Sequence, residues 1–291
     1  MGYVFALGFF DGVHLGHQAL LRRCRELAAE QGLLPGAITF GTHPELLTRG
    51  NTPALINTPA DREWLLSRYT DRVITLPFDE ALRTMPWQDF LELLLTRHHA
   101  AGFVCGDDFR FGYRGQGNAD TLERFCRDKG VPFARVPEQT LEGIRISSTH
   151  IRGLLEAGEI QEAGRFLGHP HCLTGRVVPG KQLGRRLGIP TANLAQLPGL
   201  VELKHGVYAC RCLIEGRAYA AVTNVGVRPT VSGTGVTLEP WIQDYTGDLY
   251  GREITLEFLR FLRPEQKFDS LEDLKAAILK DAQLTKNLVN T

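Results

Sequence analysis

Two histidines in a glycine-rich turn, His14 and His17, are the side chains of this sequence best suited to chemistry on phosphate. An apolar stretch at residues 3–7 predicts a buried strand before the turn, and the apolar pattern at 19–28 predicts a helix after it. Glycines let the backbone approach a ligand, and a helix N-terminus offers unpaired N–H groups and the positive end of its dipole. The imidazoles can donate hydrogen bonds to charge that develops on phosphate oxygens. The alternative is an ordinary turn with two incidental polar residues.

A second candidate phosphate site lies at Ser147, Ser148 and Thr149, where hydroxyl side chains precede another predicted helix. Such hydroxyls cap a helix, and the adjacent N–H groups can hold an anion. Arg152 follows one turn later and can reach the same anion with its two-pronged guanidinium group. Alone, this pattern is better explained as an ordinary N-cap. Together with the histidine turn, it favours phosphate binding.

A third candidate is the glycine-rich basic loop at residues 180–193, which ends in Pro-Thr-Ala-Asn. The oxygen atoms of Thr191 and Asn193 are suitable ligands for Mg²⁺, a hard cation that prefers oxygen. The loop lacks the Gly-Lys-Ser/Thr sequence of a Walker A motif, so the ordinary P-loop rule does not apply. Without further information, a glycine-rich β-turn is the simpler interpretation.

The elements that must position these residues differ between the two halves of the chain. In the first half, predicted strands at 3–8, 35–40, 72–78, 102–106 and 132–136 alternate with predicted helices at 15–31, 59–69, 86–99 and 118–129. This alternation indicates βαβ crossovers and a parallel sheet with helices on both faces. Ligands of such sheets bind beyond the carboxyl ends of the strands, where the histidine turn lies.

The second half begins with two short predicted helices over 148–167, separated at Gly158. After them the helical pattern gives way to short alternating apolar segments. Apolar residues alternate at 207–210, 219–225 and 254–261 with glycine-rich turns between them, which is typical of an antiparallel barrel or sandwich. A last helix is predicted from Ser270, with Asp273 completing a capping box. The sequence therefore predicts two domains, 1–167 and 168–291.

Composition limits the classes of partner. The 33 basic and 33 acidic residues balance, so no extended charge field points to nucleic acid or to an anionic membrane. No apolar run approaches the roughly 20 residues that a membrane span needs, and the predicted N-terminal strand leaves no room for a signal peptide. The six cysteines are scattered and lie mostly in apolar patterns, which indicates buried free thiols in a reducing cytoplasm.

The run Phe-Asp-Gly-Val-His-Leu-Gly-His-Gln around the histidines carries a His-x-Gly-His signature typical of nucleotidyltransferases. It resembles the adenylyltransferase half of the bacterial bifunctional riboflavin kinase/FAD synthetases. Ser148, Thr149 and Arg152 match the Ser-Ser-Thr-x-x-Arg motif of that family, and the loop at 180–193 resembles its riboflavin kinase signature. The resemblance implies a Rossmann-like α/β nucleotidyltransferase domain followed by an antiparallel β-barrel kinase domain with a C-terminal helix. It also implies that ATP phosphorylates riboflavin to FMN and then adenylylates FMN to FAD, releasing pyrophosphate.

The resemblance also implies a role for individual residues. In adenylyl transfer, the catalytic residues would be His14, His17 and Arg152, with further ATP contacts from Gly8, Phe9, Asp11, Gly12, Ser148 and Thr149 and flavin contacts from Phe40, His43, Asp108, Phe109 and Phe111. In the kinase, ATP and Mg²⁺ would bind at Gly180, Gly184, Gly188, Thr191 and Asn193, while Glu239 would activate the riboflavin hydroxyl and Arg263 would face the flavin. The alternatives are a core position for Phe40, a solvated strand glutamate for Glu239 and a surface arginine for Arg263.

Three features depart from the pattern of the family. Gly41 and Thr42 replace an acidic residue and a proline, Asp108 stands where an asparagine is common, and Pro240-Trp241 follows Glu239 where the family has a histidine at the second position. Asp108 would oppose the FMN phosphate, unless it forms a surface ion pair with Arg110 or Arg114. Asp108, Pro240 and Trp241 leave open a flavin-binding regulator without turnover, and a nucleotidyltransferase for another phosphate ester is a separate alternative. The expected partners are riboflavin, FMN, FAD and ATP, and the expected assembly is a monomer or a weak oligomer.

Overall fold

The computed structural model describes residues 2–43, 53–180, 188–195, 198–230 and 233–289. The chain divides into two units, one formed by Met1–Pro53 with Pro59–Ser148 and the other by Ala54–Thr58 with Thr149–Thr291. Residues 149–167, which the predicted boundary assigns to the first domain, cluster with the second unit. The boundary at 167 stays a prediction.

The first unit is built on a parallel sheet, as the alternation of strands and helices predicted. Its strands are β1 (Tyr3–Leu7), β2 (Leu34–Phe40), β3 (Arg72–Leu76), β4 (Ala100–Gly106), the short β5 (Arg110–Phe111) and β6 (Gly117–Asn118), β7 (Phe133–Val136), and the short β8 (Thr140–Leu141) and β9 (Ile144–Arg145). Five of them pair in the order β3-β2-β1-β4-β7, with every pairing parallel. The pairs β5–β6 and β8–β9 form two small hairpins.

Five α-helices lie between these strands in the described part of the unit, and their ends follow local sequence signals. They are α1 (Leu15–Glu30), α2 (Pro59–Ser67), α3 (Glu80–Thr84), α4 (Trp87–Arg97) and α5 (Ala119–Lys129). At the start of α5, the Asn118 side chain accepts a hydrogen bond from the Thr121 N–H at 2.9 Å, and the Thr121 hydroxyl accepts one from the Asn118 N–H at 2.7 Å. This capping box satisfies two backbone donors that the helix itself leaves free.

The core of the first unit lies around the central strands. Val4, Phe5, Ala6 and Leu7 of β1 are all at most 2% exposed, as expected for a parallel strand covered on both faces. Gly36 on the neighbouring strand makes room for one of them, since a Cβ atom there would lie 2.3 Å from the Phe5 ring. The packing therefore fixes the strand that leads into the histidine turn.

The second unit is a nearly closed antiparallel barrel with helices. It contains α6 (Ser148–Ala157, whose first residue belongs to the first unit), α7 (Ile160–Leu167), β10 (His171–Val178), β11 (Asn193–Leu194), β12 (Gly206–Ile214), β13 (Arg217–Thr230), β14 (Gly233–Ile242), β15 (Glu253–Arg263) and α8 (Leu271–Val289). The strand order is β11-β10-β15-β12-β13-β14. The Ala192 N–H donates to the Pro240 carbonyl at 2.9 Å and so brings the two ends of this sheet together. The barrel is the fold predicted for this half.

Two further predictions concern the cysteines and the last helix. All six cysteines are buried and free. At the start of α8 the Ser270 hydroxyl accepts a hydrogen bond from the Asp273 N–H at 3.1 Å and donates one to the Asp273 carboxylate at 2.6 Å, so the predicted cap is present. Within the described residues, no helix combines the length and the apolar character that crossing a membrane requires.

Candidate active sites in the two units

The turn between β1 and α1 has an unusual backbone. Phe10, Gly12 and Val13 have φ values of 60°, 83° and 42°, which place all three in the left-handed region. Glycine adopts this region freely, whereas a β-branched residue such as Val13 does so only when its surroundings force it. Conformations of this kind cost free energy and are found where a binding site needs a fixed backbone shape.

Three side chains hold the turn in that shape. The Gln18 amide donates to the Val13 carbonyl at 3.0 Å, and the Thr39 hydroxyl donates to the Phe9 carbonyl at 2.8 Å. The Ser148 hydroxyl donates to the Asp11 carbonyl at 3.0 Å, so a residue of the predicted hydroxyl cluster contacts the turn directly. The turn is therefore preorganised before any ligand binds.

The two histidine rings stack on each other. Their centroids lie 3.6 Å apart with 14° between the planes, and the His17 N–H donates to Nδ1 of His14 at 3.3 Å. Nδ1 of His14 is thus an acceptor, which leaves Nε2 as the N–H donor of that ring. The pKa of His17 lies well below its usual value because of burial, and the neighbouring His14 and Arg62 lower it further. The His17 ring is therefore suited to act as a neutral hydrogen-bond donor near pH 7, and Nε2 is the donor that the His14 ring can offer.

A cavity of about 210 Å³ opens beside the histidines, at the carboxyl ends of β1, β4 and β7. This is the edge of a parallel sheet at which ligands usually bind. Besides the histidines, its lining includes polar residues from three further segments, namely Asp107, Asp108, Glu138, Gln139, Arg145, Ser147 and Ser148. The structure thus brings His14, His17, Ser148 and Asp108, which come from separate motifs, to one cavity.

The ion pair of Asp108 differs from the alternative considered above. Its carboxylate accepts a hydrogen bond from the Arg145 guanidinium at 3.0 Å, and Arg145 also pairs with Glu138. The surface ion pair that the alternative proposed is present, but its partner is Arg145 rather than Arg110 or Arg114, because the β8–β9 hairpin returns a residue 37 positions later in the chain to the cavity edge. The Asp108 side chain is 70% exposed, so the pair lies at the surface.

The other residues predicted for the first site differ in burial, and some of them belong to the second unit. Phe40 and Phe111 are buried in the apolar core, at 8% and 6% exposure, as the core alternative for Phe40 proposes. Phe109 is partly buried and stacks on Phe111 with centroids 5.4 Å apart, and the His43 ring meets Phe9 edge-on at 4.5 Å. Contact of any of them with flavin stays a prediction. Thr149 and Arg152 belong to the second unit, and their placement beside the histidines also stays a prediction.

The second unit contains a cavity of about 550 Å³ with a mostly apolar wall. Its lining includes both residues predicted to meet the flavin, Glu239 and Arg263, together with Thr191, Val207, Val222, Asn224, Trp241, Glu265, Phe268, Leu274 and Ile278. Glu239 is the cross-strand partner of Asn224, whose side chain donates to Glu265 at 3.1 Å. Carboxylates and an amide therefore line one part of an otherwise apolar space.

Arg263 is held firmly at the edge of this cavity. Its guanidinium group donates to Oδ2 of Asp281 on α8 through Nε at 3.0 Å and pairs through Nη2 at 2.9 Å, and the Asp281 side chain is only 7% exposed. Its Cζ atom lies 5.5 Å from the centroid of the Phe268 ring. The surface alternative for Arg263 does not describe this position, because the side chain is only 19% exposed.

A smaller cavity of about 130 Å³ contains the residues predicted to bind phosphate and metal. Gly180, Thr191 and Asn193 line it together with Tyr245, Gly247, Asp248 and Tyr250. Thr191 lines both cavities of this unit. A Cβ atom on Gly180 would lie 2.1 Å from Nδ2 of Asn193, so the glycine makes room for the amide. Gly188 adopts φ +72°, whereas Gly184 lies outside the described residues.

Sequence reasoning did not identify three residues that shape these sites. In the sequence Trp241 stands out only as a departure from the family pattern, but it lines the large apolar cavity. Asp281 gave no signal, because a single acid in an amphipathic helix is ordinary. Arg62 also gave no signal, because a single arginine in a predicted helix is ordinary. Its side chain is nevertheless only 1% exposed and lies beside the histidine turn.

Comparisons with known proteins match both units. The FAD synthetase family model matches residues 1–150, and the Riboflavin kinase model matches residues 167–289. The chain is 38% identical to a bifunctional riboflavin kinase/FMN adenylyltransferase from Pseudomonas fluorescens, over 99% of this chain and 93% of that protein. It is 36% identical to the protein of the same name from Escherichia coli K12, over 96% and 90%.

A solved structure is similar over nearly its whole length. It is described as a macrolide-efflux protein from Streptococcus pneumoniae, and it aligns with a TM-score of 0.86 and 31% identity over 98% of this chain and 94% of that one. Its description differs from the names of the curated relatives. The two matched family models agree with those names rather than with efflux.

Proposed function

Since the chain belongs to the bifunctional riboflavin kinase/FMN adenylyltransferase family, we propose that each of its two units performs one of the two reactions. The enzyme phosphorylates riboflavin to FMN and then adenylylates FMN to FAD, with ATP as the co-substrate of both steps. The observation that carries the proposal is the presence of a separate cavity in each unit, one beside the histidine turn and one that Glu239 lines. Each unit is matched largely by its own family model.

Adenylyl transfer is assigned to the cavity of the first unit. An oxygen of the FMN phosphate attacks the α-phosphorus of ATP, a new P–O bond forms, and pyrophosphate leaves. No protein nucleophile is needed, because the attacking phosphate is already ionised. His14 and His17 donate hydrogen bonds to the charge on the phosphate oxygens, and Arg152 is the cation that the Ser-Ser-Thr-x-x-Arg motif predicts for the same charge. Fixed donors of this kind stabilise a transition state because they need no reorganisation when the charge develops.

Riboflavin phosphorylation is assigned to the two cavities of the second unit. The larger cavity has the size of ordinary small-molecule sites and offers apolar walls to the flavin ring. The smaller cavity takes the phosphates, and Thr191 stands where the two meet. The terminal hydroxyl of riboflavin attacks the γ-phosphorus of ATP, ADP leaves, and the carboxylate of Glu239 accepts the hydroxyl proton.

The residues of the smaller cavity fit Mg²⁺. Thr191 and Asn193 supply neutral oxygen atoms, and Gly180 leaves beside Asn193 a space that a Cβ atom would fill. Mg²⁺ commonly takes few ligands from the protein and the rest from water and substrate phosphates. When bound here, the ion would neutralise charge on the ATP phosphates. Thr191 and Asn193 would hold it.

Pro240 and Trp241 are compatible with an active kinase rather than with a regulator that lost turnover. Proline lacks a backbone donor, but β14 keeps its register with β13 through Glu239, Pro240 and Trp241. The Pro240 carbonyl accepts the hydrogen bond that closes the barrel. Glu239 therefore keeps a regular strand position in the cavity wall. An enzyme for another phosphate ester is not favoured, because both family models name flavin chemistry.

The remaining assignments follow from composition. The balanced charge and the absence of a candidate membrane helix in the described residues agree with a cytoplasmic enzyme of small-molecule substrates. Nucleic acid and membranes are not expected partners. A monomer or a weak oligomer is the expected assembly, with residues 1–167 and 168–291 as the functional halves.

Two substitutions test the separation of the sites. Glu239→Gln should abolish FMN formation from riboflavin, while the same protein still converts supplied FMN to FAD. Glu253→Gln, an exposed glutamate on the barrel strand β15, is the matched control and should leave both rates unchanged. If folded Glu239→Gln protein loses both activities, or retains FMN formation, the assignment of one reaction to each unit is wrong.

A further inference from the structure

Arg62 is the largest fully buried side chain among the described residues, and it lies behind the histidine turn. It projects from α2, and its Cζ atom stands 4.2 Å from the centroid of the Phe9 ring within the turn. Its Nη2 donates to the Phe40 carbonyl at the end of β2. The guanidinium group thus connects the turn to the neighbouring strand.

The charge of Arg62 is poorly compensated within the described residues. Its Nε and Nη1 atoms are buried and make no hydrogen bond there. Burial lowers the pKa of Arg62 to about 10, against the opposing effects of the Asp11 and Glu63 carboxylates, so the group remains a cation near pH 7. A buried cation in which two of the three nitrogen atoms lack a hydrogen-bond partner is unfavourable for the free protein. The cost of burying such a group must be offset by other contacts in the folded protein or by a bound ligand.

The neighbouring histidines cannot supply the same charge. His17 is neutral near pH 7, and its ring stacks on that of His14, whose Nδ1 acts as an acceptor. Arg62 is therefore the fixed positive charge behind the turn, while the imidazoles in front of it supply neutral donors. The Arg62 charge acts on His17, which lines the cavity beside the turn, so it would also attract a triphosphate bound there in a medium that screens charge poorly.

We propose that Arg62 is a positioning residue for adenylyl transfer, which braces Phe9 and provides a buried positive charge that nucleotide phosphates compensate. The inference rests on the proposed role of the histidine turn in binding ATP. The buried charge of Arg62 destabilises the free protein and stabilises the complex with ATP. A planar guanidinium is needed, since lysine could not lie flat over the Phe9 ring while donating to the Phe40 carbonyl.

Removing the Arg62 charge should affect the rate of adenylylation and the stability of the free protein differently. Arg62→Met keeps the apolar stem of the side chain but removes the guanidinium group, and with it the charge and the contact with the Phe9 ring. Its rate of FMN adenylylation should fall 10- to 100-fold, and the ATP-induced rise in Tm should shrink. The Tm of the free protein should stay within about 2 °C of wild type or increase, because an uncompensated buried charge is lost. Arg62→Lys should recover only part of the loss.

The pH profile gives a readout that a purely structural role would not change. His14 on the same turn and Arg62 on α2 are the groups that, besides burial, lower the pKa of His17, and Asp107, Asp108, Glu138 and Arg145 line the same cavity. Removing the Arg62 charge should raise the pKa of His17 and move the acid limb of adenylyl transfer to higher pH. Arg62→Lys should keep the wild-type limb.

Arg68→Met is the matched control, since Arg68 is exposed just beyond α2 and also lies over an aromatic ring, that of Trp64, at 5.4 Å. It should change none of these quantities. Riboflavin phosphorylation in the same samples reports on the second unit. Adenylylation within threefold of wild type in Arg62→Met would overturn the proposal, and so would a large loss of Tm in the free protein. If wild-type protein makes no FAD from FMN, the proposed function fails instead.

Discussion

Replacing Gly180 by alanine should damage the kinase through a single steric contact. The added Cβ would lie 2.1 Å from Nδ2, 2.5 Å from Cγ and 2.8 Å from Oδ1 of Asn193. Ordinary contact begins near 3.4 Å, so the Asn193 amide must move by about 1.3 Å, the difference between 3.4 and 2.1 Å. A displacement of about 1 Å in a positioning group can cost about 10²-fold in rate. The φ angle of Gly180 lies outside the left-handed region, so the effect is attributed to the amide rather than to backbone strain.

The assay is the initial rate of FMN formation from riboflavin and ATP, with Mg²⁺ titrated. Gly180→Ala should lose roughly 10²-fold in kcat/KM for ATP and require more Mg²⁺. Conversion of FMN to FAD should be unchanged. Gly175→Ala is the control on the same unit, because a Cβ there would meet Leu194 at an ordinary 3.4 Å. Wild-type kinase activity in folded Gly180→Ala protein would refute the placement of Asn193 in the phosphate and metal site.

Three further substitutions test other parts of the account. His17→Ala should reduce FAD synthesis by roughly 10²–10³-fold through loss of a neutral donor, measured beside an unchanged rate of riboflavin phosphorylation; a loss below threefold would indicate a structural turn residue. Asp108→Asn should lower the KM for FMN but not for ATP, because the amide releases Arg145 toward the substrate phosphate; an unchanged KM would remove Asp108 from the flavin site. His171→Leu should reduce acid sensitivity. Burial lowers the pKa of His171 to about 3. Between pH 6.5 and pH 3 this histidine is therefore protonated in the unfolded chain but not in the folded chain. The free energy of unfolding of the wild type consequently decreases as the pH is lowered through this range. Urea unfolding should show the variant losing roughly 2 kcal/mol less than wild type between pH 7 and pH 5, and equal losses would contradict this.

The sequence was sufficient for elements with a strong local pattern. The five strands of the parallel sheet and the helices from Leu15, Pro59 and Ala119 lie within two residues of their predicted starts. Each is an apolar run or stripe bounded by glycine, proline or a capping residue, and these signals act over a few residues. The histidine turn could be found for the same reason, because its glycines and histidines are contiguous.

Features that depend on distant partners were not predicted. β14 spans Gly233–Ile242, but its glycines and proline hide the alternation, and pairing with β13 supplies its order. Arg145 reaches Asp108 only because a hairpin folds back to the cavity. The burial of Arg62 depends on the turn and on β2 together, and no local pattern marks such an arginine. The missed residues are those whose environment is made by tertiary packing.

The most direct test of the central claim follows flavin products over time in one reaction. The purified protein is mixed with riboflavin, ATP and Mg²⁺, and the amounts of riboflavin, FMN, FAD, ADP and pyrophosphate are measured after separation. The account predicts that FMN appears first with one ADP each, and that FAD follows with one pyrophosphate each. Riboflavin that stays unchanged, or FMN that accumulates and never becomes FAD, would contradict it.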